Sequence, residues 1–480
     1  MKFKIESIVL KIVGVGWISL TFCACVSLTN VDKSGHAALP GNYKSSVDTT
    51  NTARIQWGEF FSDPHLIALI DSALKNNQEL NVVLQEIEIA RNEVRARKGE
   101  YLPFVGLGGS AAVEKPGRYT SRGSSEAAIE IMPGRETPDP LQNYGVGAVA
   151  TWELDIWKKL RNARKAAVSR YLASTEGKNF LVTNLIAEIA RSYFELMALD
   201  NELLIVKQNI EIQESALEVV RLQKQTARVT ELAVRRFEAQ VLNTRNLQYS
   251  IQQDITETEN RINFLVGRYP QPVERNFQGF SALVPTLVSA GIPSQLLENR
   301  PDVRQAEMNL AAAKLDVKVA KARFYPSLGI SAGIGFQAFD PAFLIRTPQS
   351  VAYSVAGDLT APLINRNAIK ASYYNANAMQ IQAAFQYQRT LLNAYVEVMN
   401  QLAMIQNMEQ SYDMKSQEVE ALVQSITISN NLFRSARADY LEVLLTQRDA
   451  MTSRFELLET KKRQMNAIVN IYRALGGGWK

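Results

Sequence analysis

The side chains that most often carry chemistry are scarce in this 480-residue chain. Two histidines occur, His36 and His65, and no serine–histidine–acid arrangement can be assembled around either. The two cysteines, Cys23 and Cys25, flank Ala24, a spacing too tight for a paired-thiolate metal site. A disulfide framework is excluded, because no cysteine follows Cys25. The run Gly106 to Gly109 is too short and wrongly flanked for a nucleotide-binding loop. Basic residues number 53 against 48 acidic ones, for a net charge of +5. That balance argues against the electrostatic footprint of a nucleic-acid binder. The sequence predicts no enzyme, no cofactor and no metal.

One cysteine does point to a chemical event. Residues 1–24 carry Lys2, Lys4 and Lys11, then the apolar run Ile12 to Phe22, then small residues, as a secretory signal peptide does. Phe22-Cys23-Ala24-Cys25 resembles a bacterial lipoprotein box, with a small residue before the cysteine that is acylated. It lacks the usual Leu three residues before Cys25, and Val26 is not the Asp that retains lipoproteins in the inner membrane. Cys25 is therefore the expected lipidation site, and residues 25–56 read as a polar tether.

The rest of the chain is written twice. Leu80 to Tyr101 leads into Leu102-Pro103-Phe104-Val105-Gly106, and Val303 to Phe324 leads into Tyr325-Pro326-Ser327-Leu328-Gly329. Each copy continues as strands of period two. Val105, Leu107, Ala111 and Val113 alternate with Gly106, Gly108, Ser110 and Glu114, and a second row runs from Tyr144 to Asp155. In the second copy Leu328, Ile330, Ala332, Ile334 and Phe336 interleave with small residues, followed by the row from Val351 to Leu363. One apolar and one small or polar face, over about 10 residues, fits a tilted transmembrane strand. Lys115 to Asn143, rich in Gly, Ser, Pro and charge, suits a long extracellular loop. Four strands cannot close a barrel, and open edges in lipid leave backbone groups unsatisfied. Such a chain must oligomerise.

Long helices follow each strand pair. Val182, Ile189, Leu196, Leu203, Ile210 and Leu217 recur every seven residues, which makes a coiled-coil seam. Lys158 to Ala227 spans about 105 Å at a rise of about 1.5 Å per residue. The second copy repeats this from Lys370 to Ser435 and back to Leu475, and Gly267 and Gly476 are placed to end the return helices. The domain plan is a first repeat at 57–268, a linker at 269–293 and a second repeat at 294–480. The fold class is a mixed α and β membrane protein, a duplicated protomer of four transmembrane strands and long coiled-coil helices.

With these elements in place, the chain resembles the TolC-like outer-membrane efflux proteins, in their lipoprotein (NodT-type) branch. The resemblance rests on Asp63-Pro64-His65-Leu66, Trp152-Glu153-Leu154-Asp155-Ile156-Trp157, Ile292-Pro293-Ser294 and above all Asn299-Arg300-Pro301-Asp302-Val303, with Phe324-Tyr325-Pro326 and Ala361-Pro362-Leu363. It implies a homotrimer with a twelve-stranded barrel in outer-membrane lipid and a helical periplasmic tunnel. It also implies docking to a periplasmic adaptor protein fed by an inner-membrane pump. The function that follows is export of small molecules by passive conduction; a type I protein-secretion channel and a non-channel coiled-coil lipoprotein are the alternatives. The family usually has Gly in each periplasmic tip, where matching the flanks puts Arg228 and Ala436 in this chain. The expected tip residues, for docking and gating, are Arg228, Val229, Thr230, Glu231, Phe433, Ala436, Arg437, Asp439 and Tyr440, with the charged ones available to pair between neighbouring hairpins. Glu114, Glu153, Asp155 and Asp358 are lumen charges that either filter cargo or are merely solvated.

Overall fold

The computed structural model describes residues 39–43, 50–283, 289–435 and 437–479. The signal peptide, Cys25 and Ala436 lie outside the described residues. The first repeat begins with helices α1 (Pro64–Asn76) and α2 (Gln78–Glu100), then strand β1 (Phe104–Glu114). The expected loop holds a short helix α3 (Ser121–Glu126) and a small hairpin of β2 (Glu130–Met132) and β3 (Arg135–Glu136). Strand β4 (Leu141–Leu154) then starts three residues before Tyr144 and feeds α4 (Lys159–Gln225), which returns as α5 (Glu231–Val266). The second repeat runs α6 (Pro301–Ala322), β5 (Ser327–Ala338), β6 (Val351–Thr360), α7 (Asn367–Arg434) and α8 (Tyr440–Ala474).

Both long helices match the lengths read from sequence, with 67 residues in α4 and 68 in α7. With the shorter helices they form one packed layer. On the strand side of the chain the packing order is α2, α4, α6, α7; on the other side it is α5, α4, α8, α7. No helix among the described residues is long and apolar enough to cross a membrane. The heptad stripe of α4 is buried at Ile189, Leu196, Ile210 and Leu217.

The main core sits midway along the long helices. There α1 lays Leu66, Ile70 and Ala73 against Ile186, Ile189, Tyr193 and Leu196 of α4, with Ile262 of α5 and Tyr472 of α8. Phe60 stacks on Tyr472 at 4.0 Å between ring centroids. Asp63 starts α1 by accepting from the His65 backbone N–H at 2.8 Å, and its other oxygen takes the Tyr193 hydroxyl at 2.7 Å. The motif Asp63-Pro64-His65-Leu66 is thus a helix start nailed to the core.

The β1, β4, β5 and β6 strands form one antiparallel sheet in that order, leaving β1 and β6 as edges. The register puts Val105 beside Ala150, Leu107 beside Ala148, Ala148 beside Ile334, and Ile334 beside Tyr353. Directly paired residues share a face, so the apolar rows of all four strands lie on one side. Glu153, Gly329 and Asp358 pair across the other side. This is the alternation expected of lipid outside and water inside.

Candidate functional site

Among the described residues nothing covers the middle of the sheet's apolar side. Leu107 is 90% exposed, Tyr353 81% and Val355 78%. A soluble protein would bury such a continuous face, since exposed apolar patches this broad mark an interaction surface. At the helix end of the sheet stands a group of aromatics. Trp152 donates its indole N–H to the Tyr101 carbonyl at 3.0 Å. Trp157 donates to the Pro326 carbonyl at 2.7 Å and stacks on Tyr325 at 4.7 Å. Amphipathic rings of this kind sit where a bilayer meets water.

Three of the four proposed lumen charges have structural partners. Glu114 pairs with Arg122 at 2.6 Å, and Glu153 pairs with Lys159. Asp155 accepts from the backbone N–H groups of Leu160 and Arg161, at 2.9 Å each, and so caps the N-terminus of α4. Its side chain is 4% exposed. Asp155 is a helix cap, not a filter. Asp358 lies on the polar face of β6.

At the far end, the two helical hairpins close on each other. Phe433, Tyr440 and Leu444 of the second pack against Val220, Val234 and Phe237 of the first, with Val229 at the edge. Phe433 also borders a cavity of about 350 Å³ between the hairpins, beside Val219 and Val443. Phe433, expected among the tip residues for docking and gating, is half-buried inside its own protomer.

The tip turns correct one expectation. The left-handed residue of the first tip is Ala227, at φ 58°, and not Arg228. Arg228 donates its backbone N–H to the Gln223 carbonyl at 2.9 Å, as Arg437 does to Leu432 at 2.8 Å. The two arginines are therefore equivalent, and the alignment of Arg228 with Ala436 was out by one residue. Glu231 pairs with Lys224 and, at 2.8 Å, with Arg235, both on its own hairpin. The Lys224 hydrogen bond, first, and Arg235 hold its carboxyl below the usual range. Among the described residues Arg228, Arg437 and Asp439 make no ion pair. Thr230 and Asp439 each stand at the N-cap of a return helix, with extended backbone.

The motif around Arg300 is built on a buried ionic cluster. Arg300 is 6% exposed and starts α6. Its guanidinium holds Asp302 at 3.0 and 2.7 Å, Glu397 of α7 at 2.8 Å, and the Ala474 carbonyl at the end of α8 at 2.8 Å. Burial works against the charge, but Asp302 and Glu397 outweigh it and hold the group above its ordinary pKa. A second knot joins Arg275 of the linker to Asp200 at 2.5 Å and to Glu259. Neither could be found from spacing, because each joins residues far apart in the chain.

The geometry is that of a wall: a sheet with one exposed apolar face and, among the described residues, two unpaired edges, continued by a layer of very long helices. A family model described as outer membrane efflux protein matches residues 69–268 and 292–477. The pyoverdine export outer membrane protein OpmQ of Pseudomonas aeruginosa is 26% identical over 425 residues, which are 88% of each chain. The probable outer membrane lipoprotein SilC of Salmonella typhimurium is 26% identical over 478 residues, 98% of this chain and 99% of its own. A solved membrane protein from Pseudomonas aeruginosa, 22% identical, shares the fold with a TM-score of 0.84 over 92% of this chain and 98% of its own. The match spans both copies of the repeat, and the chain belongs to the outer membrane efflux protein family.

Proposed function

We propose that three copies of this chain close into a twelve-stranded barrel and a helical tunnel, and that small molecules cross the outer membrane through it by passive conduction. The carrying observation is the four-stranded sheet with two unpaired edges and a bare apolar face. Lipid offers no partner to edge N–H and C=O groups, so a neighbouring sheet must. Native mass spectrometry in mild detergent tests this, with single-channel recording in a planar bilayer as the functional arm. Trimers that conduct are expected; a stable monomer that still inserts would sink the reading.

In this reading the tunnel meets a periplasmic adaptor protein, fed by an inner-membrane pump, and Cys25 carries a lipid anchor. SilC's designation as a lipoprotein supports the anchor. An unmodified mature N-terminus beyond Cys25, seen by mass spectrometry, would remove it. The tips, Arg228 to Glu231 and Phe433 to Tyr440, are the docking and closing end. Because Glu231 is already held by Lys224 and Arg235, the latch falls to Asp439 with Arg228 or Arg437 of a neighbouring hairpin. Exposed pairs contribute roughly 0–1 kcal/mol each, so Asp439→Ala should raise resting conductance a few-fold while Glu231→Ala changes it little. Unchanged conductance in Asp439→Ala leaves the tips as docking surface alone.

A further inference from the structure

A cavity of about 1060 Å³ opens where the sheet meets the helices, and its wall is basic. Arg161, Arg164 and Lys165, on the first turns of α4, line it together with Tyr101, Trp152 and Asp155. Its side of the wall follows from the register. The β4 residues that line it, Trp152 and Leu154, both belong to the apolar row, and no residue of the polar row joins them, so this cavity opens on the outer face. A separate cavity opens on the polar face, lined mainly by Thr151, Glu153, Gly329 and Asp358 of the polar row, with Trp152 and Ile330 also on its border. The outer cavity thus lies at the helix end of the bare apolar strands.

Its charges are poorly matched from within. Asp155 is committed to the helix cap, and its contact to Arg161 is 3.4 Å. Arg164 reaches the Tyr101 hydroxyl at 3.4 Å, and its Nε is buried with no hydrogen-bond partner among the described residues. No acidic side chain among the described residues pairs with Arg164 or Lys165. A planar guanidinium held this way lacks an anion that offers it two oxygens, as a carboxylate or phosphate does.

We propose that this cavity seats the phosphate of an anionic phospholipid, of the phosphatidylglycerol type, whose acyl chains lie on the apolar strands above. The inference rests on the membrane reading of the sheet. Charge complementarity and continuity with the apolar face select a lipid over a soluble anion, and Trp152 and Tyr101 flank the headgroup at interfacial depth.

The test uses the full-length protein in vesicles of phosphatidylethanolamine with and without phosphatidylglycerol. Lipid retained after extraction is counted by native mass spectrometry. Wild type should keep phosphatidylglycerol in preference to phosphatidylethanolamine. R164Q/K165Q should lose that preference by about thirtyfold, the effect of two cations near an anionic surface. K207Q/R236Q, which removes equal charge from exposed helix surface, should keep it. Spin-labelled phosphatidylglycerol, compared with a spin-labelled zwitterionic lipid, should quench wild-type tryptophan fluorescence more strongly; this arm needs no variant to fold. Equal retention of both lipids, or equal quenching, overturns the proposal. Failure of the wild type to insert at all overturns the membrane reading instead.

Discussion

The two repeats solve the same joint with different chemistry. In the first, Asn77 caps α2 by accepting from the Leu80 N–H at 2.8 Å, and its amide donates to the Leu265 carbonyl at 2.8 Å. In the second, Arg300 occupies the corresponding place and donates to the Ala474 carbonyl at 2.8 Å. Both bonds capture a carbonyl at the end of a return helix, where intrahelical partners run out. The neutral amide completes its work with two hydrogen bonds. The guanidinium must also be neutralised, so Asp302 and Glu397 surround it. The two repeats share the backbone contact and differ in the side chain that makes it; the first joint ties two helices, and the second also draws in a third through Glu397.

The largest effect should therefore come from the second joint. Arg300→Ala strands Asp302, leaves Glu397 with Arg473 as its one remaining cation among the described residues, and frees the Ala474 carbonyl, a loss of about 3 kcal/mol for breaking a buried ionic cluster. Arg300→Asn, which imports the first repeat's solution, should recover about 1 kcal/mol through the amide bond to Ala474. Heat resistance of the assembled protein reads both. Equal damage from the two variants would mean that the helix-end bond is not what the repeats share.

Next in size are the glycines that let these joints close. Gly267 has φ 77° and Gly476 φ 89°, and a Cβ at either would run into a backbone carbonyl, of Asn76 or of Asn299. Gly267→Ala and Gly476→Ala should each cost about 2–4 kcal/mol, from the left-handed backbone plus the clash. Similar losses in both are expected, since the two contacts are related by the repeat. A mild Gly476→Ala would show that the second joint has slack that the first lacks.

Asn77→Ala should cost less, about 2 kcal/mol, for a lost cap and an orphaned Leu265 carbonyl. Thermal melting of the assembled protein, set beside Arg300→Ala, measures how much more the ionic joint carries. If Asn77→Ala is the more damaging, local capping and not the ionic cluster governs the middle of the wall.

How much of this could be read from residue order depends on the range of each contact. Period-two strands and heptad helices repeat locally, so the rows around Leu107 and Ile334 and the seam through Ile189 and Leu196 were readable. Gly267 and Gly476 were readable as helix ends, because a glycine after a long periodic run is a local signal. The match of Asn77 to Arg300 was not. An amide and a guanidinium share no pattern, and their common partner lies at the other end of the repeat. The role of Asp155 was hidden for a similar reason: a carboxylate on an alternating strand looks solvated until the helix start beside it is placed.

The smallest effect concerns the tip, where the same helix-end motif appears without glycine. Arg268 donates to Asn263 and Gly477 to Tyr472, each at 2.9 Å, and Arg228 repeats this bond to Gln223 at the first tip. The left-handed residue is Gly267 or Gly476 in the middle of the wall but Ala227 at the tip. The neighbours explain the difference. At the middle a Cβ would strike another backbone, so glycine is required, whereas Ala227 is exposed. Only the backbone cost remains there, roughly 1 kcal/mol for a left-handed alanine. Ala227→Gly should remove most of it, less the entropy that glycine adds to the unfolded chain. The tip should then open about two- to fivefold less often. Hydrogen exchange of the Arg228 amide reads this directly, because that N–H closes the turn on Gln223. Slower exchange in the variant would show that the tip is held in a mildly strained state, poised to yield when a partner docks. Faster exchange would mean that the methyl of Ala227 stabilises the turn, and that the alanine tip is a rigid end.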